Sequence, residues 1–266
     1  MQLRLIRASH LPIAAVLAAS ALCAWAVFVH LVPAAGTFRW DEGAHAMQGL
    51  LIAHDLRAND WLAFLYDSYG QVYWPPVHSW LTAAAFLVAG PSETSARAVS
   101  VLAYAILAPV LCVAGRYVVS TRPENSEQTV FRPPATGLIA AALALTSPTF
   151  LTHAAQAMLE STGLLALGVA FLCFFRTSRP SVRPTDYTLL GVAVVVAYFV
   201  KTNYGLLLFL ALGLFLSVEA VVRPGRVTRR QMAYAIVPMV IVWVVWFAYP
   251  PKIVSTWQTL VNQPWN

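Results

Sequence analysis

Seven long stretches of this chain are almost free of charge, and that constrains its fold more than any other feature. They cover 11–33, 96–116, 136–152, 154–175, 188–200, 205–221 and 232–250. A helix needs about 20 mostly apolar residues, within a range of roughly 17–25, to cross a bilayer. Charged residues make up only 11% of the chain and hydrophobic ones 59%, with a mean hydropathy of +0.66. A soluble domain carries roughly 25% charged and about 45–50% apolar residues. So few charges cannot cover a water-facing surface, and the expected class is an all-α polytopic membrane protein forming one module over residues 1–266.

The net charge of +6 does not indicate a nucleic-acid partner. Two lysines, Lys201 and Lys252, leave fifteen arginines among the seventeen basic residues, and most sit in short clusters between apolar runs. That is the distribution expected for cytoplasmic loops. The first run follows Arg4 and Arg7 and continues past Ala24-Trp25-Ala26 to Val32, too long for a usual cleaved leader, so it reads as a signal anchor. Segment 77–90 is the ambiguous one, because fourteen residues suit a re-entrant or interfacial helix better than a span. If it does not cross, twelve of the seventeen basic residues fall on the side of the N-terminus; if it crosses, every later loop flips. The expectation is seven spans, a cytoplasmic N-terminus and an extracytoplasmic first loop over 34–95. Arginine over lysine and abundant alanine point to a bacterial source, hence the cytoplasmic membrane.

That loop holds six acids against two arginines. Within it Met47, Leu50, Leu51 and His54 recur at near-helical spacing, as an amphipathic helix on the membrane would have them. Cys23, Cys112 and Cys173 are scattered through apolar runs and suggest neither a disulfide framework nor a metal site.

Three polar features fall at outer ends of runs: Asp41-Glu42 after the first, Glu160 inside the fourth, and Lys201 between the fifth and sixth. An ionisable group at bilayer depth costs at least about 2.5–3.5 kcal/mol on insertion scales, so such groups face an interior site. Acids there can act as a base, and a lysine can hold a phosphate as a point charge. Plainer roles exist for each. Asp41-Glu42 would serve as a helix cap with a first-turn acid, Glu160 and Lys201 as an interhelical ion pair, His45 as a solvated histidine, and the Trp residues as an interfacial belt.

Four stretches in order nevertheless resemble one family. WDEGAHAMQGLL, QVYWPPVHSWLTAAAFLVAGPSETSARAVSVL, LALTSPTFLTHAAQAMLESTGLLALGVAFLCFF and GVAVVVAYFVKTNYGLLLFL are similar to the acidic, Pro-Pro/SE-AAR, SP-F/MLE and LTK-type stretches of GT-C glycosyltransferases of the protein O-mannosyltransferase and aminoarabinose-transferase kind. The resemblance implies an inverting transferase that moves a sugar from a polyprenyl-phosphate donor to an acceptor on the outer face. The sugar and the acceptor are left open. It implies Asp41 as the catalytic acid, with Glu42 and Glu160 as further acids, and Lys201 and Arg97 as donor-phosphate contacts. Tyr73, Trp74, His45 and Tyr204 are the candidates for the substrate groove. Aminoarabinose-type members often carry Glu-Lys at the places of Tyr73 and Trp74, which leaves more of the phosphate to Lys201. No cofactor is required, although a divalent cation could sit among Asp41, Glu42 and Glu160. The bilayer is the other expected partner. Members of the family usually continue into further spans, so this chain is expected to be a front portion. The alternatives are a transporter or lipid flippase, which would favour broken helices in two matching halves, and a non-catalytic membrane subunit.

Overall fold

The structure is a computed structural model. It describes the chain apart from Met1, Trp40, 72–73, 121–132, 178–181, 223–226, Tyr249 and 263–266, and it describes no side chains for 2–11, 118–120, 133–134, 220, 251 and 259–260. Among the described residues every regular element is helical. In order they are α1 (Gln2–Ala26), a π-helical turn (Val27–Leu31), α2 (Val32–Ala34), α3 (Glu42–Ala58), α4 (Trp61–Gly70), α5 (Val77–Ala89) and α6 (Glu93–Ser120). Then come α7 (Pro133–Thr146), α8 (Pro148–Ala154), α9 (Leu159–Thr177), α10 (Pro184–Val200), α11 (Thr202–Val222), α12 (Arg229–Trp246) and α13 (Pro250–Val261).

Local chemistry sets the boundaries. The Asp60 carboxylate accepts the Ala63 N–H at 2.9 Å and starts α4. Thr228 and Gln231 exchange side-chain and backbone bonds in a capping box that starts α12. Ser147 precedes a proline, which excludes it from the helical region, and the α7–α8 pair bends there by 60°.

Two helices organise the packing. α6 is covered by α7, α9 and α1, around Tyr104, Leu107, Ala108 and Cys112, and the Tyr104 hydroxyl donates to Leu145 O at 2.7 Å. α10 is covered by α9, α12 and α11, around Val194, Tyr198, Phe199 and Met239. With little hydrophobic drive between helices in lipid, close backbone approach carries the association. Gly191 shows this, since a Cβ there would lie 2.1 Å from Ala235 O of α12. The three cysteines are free.

Among the described residues, four helices are long and apolar enough to cross a membrane: Pro12–Ala34, Glu93–Tyr117, Leu159–Thr177 and Thr202–Glu219. The bent α7–α8 pair makes five if it counts as one span. The expected seven are therefore not reached by length and composition among the described residues. α5 and α10 are shorter apolar helices, and α12 opens on Arg229-Arg230. The fourth apolar run also begins later than expected, because 155–158 are a turn rather than helix.

The first loop also departs from the expected pattern in one respect. α3 does present Met47, Leu51 and His54 outward, but its opposite face is not polar and solvated. His45, Ala46, Gly49, Ile52 and Ala53 are buried, and α3 packs on α5. The pairings His45 with His78, Gly49 with Thr82, and Arg57 with Phe86 O show the two helices running parallel, with α4 carrying the chain back between them.

Candidate functional site

A cavity of about 490 Å³ lies where the ends of several helices meet. Its lining includes the polar residues Asp41, His45, Gln71, Glu160, Lys201, Thr202 and Asn203 and the aromatic residues Trp74, Tyr198, Trp243, Trp246 and Phe247. Asp41, Glu160 and Lys201 are thus brought together from three separate stretches of sequence.

Asp41 occupies the cap position of α3, but its side chain makes no capping bond. The carboxylate is exposed on the cavity lining, while its backbone carbonyl accepts the His45 N–H at 3.0 Å. Glu160 sits in the first turn of α9, where the positive end of the helix favours an acid. Lys201 is the extended residue between α10 and α11, with φ −151° and ψ 112°. Its ammonium donates to Glu160 Oε1 at 2.6 Å and lies 5.1 Å from the centre of the Tyr204 ring. The turn is tight, because a Cβ on Gly205 would fall 2.2 Å from the Tyr198 Cα. Glu160 Oε2 has no partner among the described residues. The ion pair and the shared site coexist, since one of the three ammonium hydrogens is committed to Glu160 and Lys201 still lines the cavity.

Glu42 and Arg97 are elsewhere. Neither lines the cavity, and their side chains are 3% and 2% exposed. Arg97 Nε donates to Glu42 Oε1 at 3.1 Å and Nη2 to Oε2 at 3.4 Å, while Nη1 donates to Gly36 O at 2.7 Å. Glu42 also accepts the N–H groups of Ala157 at 2.8 Å and Arg39 at 3.0 Å. Burial alone would raise the Glu42 pKa, but the Arg97 hydrogen bond and the two N–H donors together hold it below the usual carboxylate value. The pair ties the exit of the first span, the start of α3, α6 and the turn before α9 into one junction.

Of the groove candidates, His45 and Trp74 line the cavity, with their rings edge to face at 4.6 Å. Tyr204 does not; it stands against Lys201 and α9, with its ring where a Cβ on Gly163 would be. Tyr73 lies outside the described residues. Burial pushes the His45 pKa down, and the nearby Asp41 carboxylate partly offsets this. No group of three His, Cys, Asp or Glu side chains able to hold a metal occurs among the described residues, and Glu42 is turned away from Asp41 and Glu160.

No protein-family model, curated protein or solved structure matches the chain. The functional reading therefore rests on the chemistry of this cavity.

Sequence reasoning missed the aromatic wall and the group behind it. Trp243 and Trp246 lie three residues apart in WVVW and so share a helix face, a signal submerged in an apolar run. Trp243 is held between Tyr198 and Phe209 at ring distances of 5.6 and 4.7 Å. Lys252 of α13, 4% exposed, donates to Gln71 O at 2.9 Å and to Tyr69 O, with its ammonium 4.4 Å from the centre of the Trp246 ring. It fastens α13, and with it Thr256 of the cavity lining, to the end of α4. Burial lowers its pKa to about 8. A lysine-selective NMR titration should accordingly show one ε-resonance moving near pH 8. The same shift implies that α13 docking strengthens as pH rises from about 8 towards the ordinary lysine range, because the unfolded side chain then holds the proton that the folded one has lost. A resonance that moves only above pH 10 would mean that the contacts of the ammonium offset its burial and that docking does not change with pH in this window.

Proposed function

We propose that this chain is the membrane module of a glycosyltransferase that uses a polyprenyl-phosphate-linked sugar on the extracytoplasmic face, as its resemblance to GT-C enzymes implies. The observation that carries the reading is the meeting of Asp41, Glu160 and Lys201 in one cavity that is also lined by aromatic side chains. Aromatic rings suit the apolar face of a sugar, and the polar groups suit hydroxyls and a phosphate.

In the proposed topology α10 and α12 also cross the bilayer, α5 does not, and the N-terminus is cytoplasmic. The cavity supports this parity. It gathers the start of α3 after the first span, the start of α9, the α10–α11 turn and the end of α12. Those are the ends that share one side in a seven-span chain with α5 outside the count. Were α5 to cross, the start of α3 would face the opposite side from the start of α9. Val88, 90% exposed near the end of α5, offers a test. A cysteine there should react with impermeant reagents added outside intact cells and resist reagents confined to the cytoplasm. Labelling from inside would overturn the arrangement.

In the proposed reaction the acceptor hydroxyl attacks the anomeric carbon. A new carbon–oxygen bond forms as the bond to the phosphate oxygen breaks, the hydroxyl proton passes to Asp41, and the lipid phosphate leaves with an added negative charge. Lys201 stabilises that charge through the ammonium hydrogens not held by Glu160. Glu160 is a positioning residue in this scheme, and Glu42 and Arg97 support the scaffold rather than touch the donor.

The donor side is tested with undecaprenyl phosphate as the probe. Lys201→Ala should weaken its binding roughly ten- to a hundredfold, the usual worth of a charge-assisted bond. Glu160→Gln, which keeps the lysine, should weaken it far less. Equal affinity in wild type and Lys201→Ala would remove the lysine from the donor site.

A further inference from the structure

In the parallel seam between α3 and α5, three buried polar atoms have no partner among the described residues: His45 Nδ1, His78 Nε2 and Thr82 Oγ1. They belong to residues 2%, 1% and 1% exposed, and the two imidazoles lie edge to face with centres 5.6 Å apart. Thr82 is one turn along α5 from His78 and packs against Gly49, one turn along α3 from His45. Leaving one such atom unsatisfied costs about 1–3 kcal/mol, so three in one seam call for a common polar partner.

The hydrogen bonds around His78 point to one tautomer. The Thr162 oxygen lies 3.1 Å from Leu159 O and 3.0 Å from His78 Nδ1, and with its proton given to Leu159 O it accepts from Nδ1. This arrangement puts the His78 proton on Nδ1 and leaves Nε2 a bare acceptor. Burial holds this ring neutral, with its pKa down at about 3. Among the described residues no carboxylate acts on His78 and no group of three metal-ligating side chains occurs, which favours a neutral donor at Nε2.

We propose that an ordered water sits between His45 and His78, donating to His78 Nε2 and His45 Nδ1 and accepting from the Thr82 hydroxyl. Three polar partners are the usual complement of a buried water. The consequence falls on the cavity. With Nδ1 accepting, the His45 proton resides on Nε2, and His45 presents a fixed N–H donor to the cavity it lines. Asp41, Glu160 and Glu42 favour positive charge on this ring, opposed by burial and by Lys201, and the rings of Trp74 and His78 stand edge to face against it. A fixed N–H suits an oxygen of the ligand, such as a hydroxyl or phosphate oxygen, and makes His45 unfit as a metal ligand, which needs a bare nitrogen. His45 is then a specificity-determining residue whose polarity is set by Leu159, Thr162, His78 and the water. None of this depends on the transferase reading.

The test is ¹⁵N NMR of the full chain labelled at histidine in bilayers, with each ring assigned by single His→Gln variants. The expected result is His78 protonated at Nδ1 only, His45 protonated at Nε2 only, and a water cross-peak to both rings. His78→Phe should then turn His45 into a mixture of tautomers. If that variant does not fold, Thr162→Val, which removes the acceptor at Nδ1, should shift the His78 proton to Nε2. A proton on His78 Nε2 in the wild type, a dry contact without a water cross-peak, or a His45 tautomer unmoved by either variant would overturn the proposal.

Discussion

Arg97→Ala is expected to destabilise the protein by about 3–5 kcal/mol, the cost of stranding one partner of a buried ion pair. Glu42 would stay 3% exposed with two backbone N–H donors but no cation, and Gly36 O would lose its 2.7 Å donor. The loss should appear as a large drop in thermal stability in bilayer discs or detergent. The double variant Arg97→Met with Glu42→Gln removes both charges and should recover much of it, because an uncharged, hydrogen-bonded junction no longer bears an unpaired ion. This cycle separates two roles for the same residues. Were Arg97 a donor-phosphate contact, the single variant would keep its stability and lose undecaprenyl-phosphate binding, and Glu42→Gln would rescue nothing.

The opposite fates of Asp41 and Glu42 mark the limit of what adjacent letters disclose. Both read as acids at the end of an apolar run, and helix geometry turns neighbours about 100° apart. Which of them meets the cavity is settled by partners far along the chain: Arg97 fifty-five positions away and Ala157 one hundred and fifteen. Asp41, Glu160 and Lys201 were legible as candidates because an ionisable group beside so much apolar sequence needs a reason. Their meeting in one cavity is a property of packing.

Other parts were hidden for different reasons. The α3–α5 seam is lined by Ala46, Gly49, Ala53 and Ala83, residues too small to produce a strong hydrophobic period, so the visible pattern was Met47, Leu50, Leu51 and His54, of which all but Leu50 face outward. The Ser147-Pro148 break was written in the proline, yet an apolar window runs straight through it. Hydropathy likewise treats Trp243 and Trp246 as bilayer filling, whereas their helix position puts both on the cavity wall. Helical class and membrane character follow from composition. The number of crossings depends on how 17- and 18-residue helices such as α10 and α12 sit in a bilayer, which composition does not determine.

Asp41→Asn is expected to lower sugar transfer by roughly 10²- to 10⁴-fold, the usual contribution of a positioned general base. The substitution is nearly isosteric, and the Asp41 side chain neither caps α3 nor is buried, so stability should stay within about 0.5 kcal/mol of wild type. The His45 N–H keeps its acceptor, because that bond runs to the Asp41 backbone carbonyl. Undecaprenyl-phosphate binding should persist, since Lys201 and its Glu160 partner are untouched. Intact stability and donor binding with lost transfer would separate a base from a scaffold residue. Full activity in a transfer-competent preparation would move the base elsewhere, with Glu160 as the next acid on the cavity. Should every cavity variant be silent while the protein still supports transfer by a partner, the non-catalytic reading gains, because a structural subunit has no use for the carboxylate and the lysine that share this cavity.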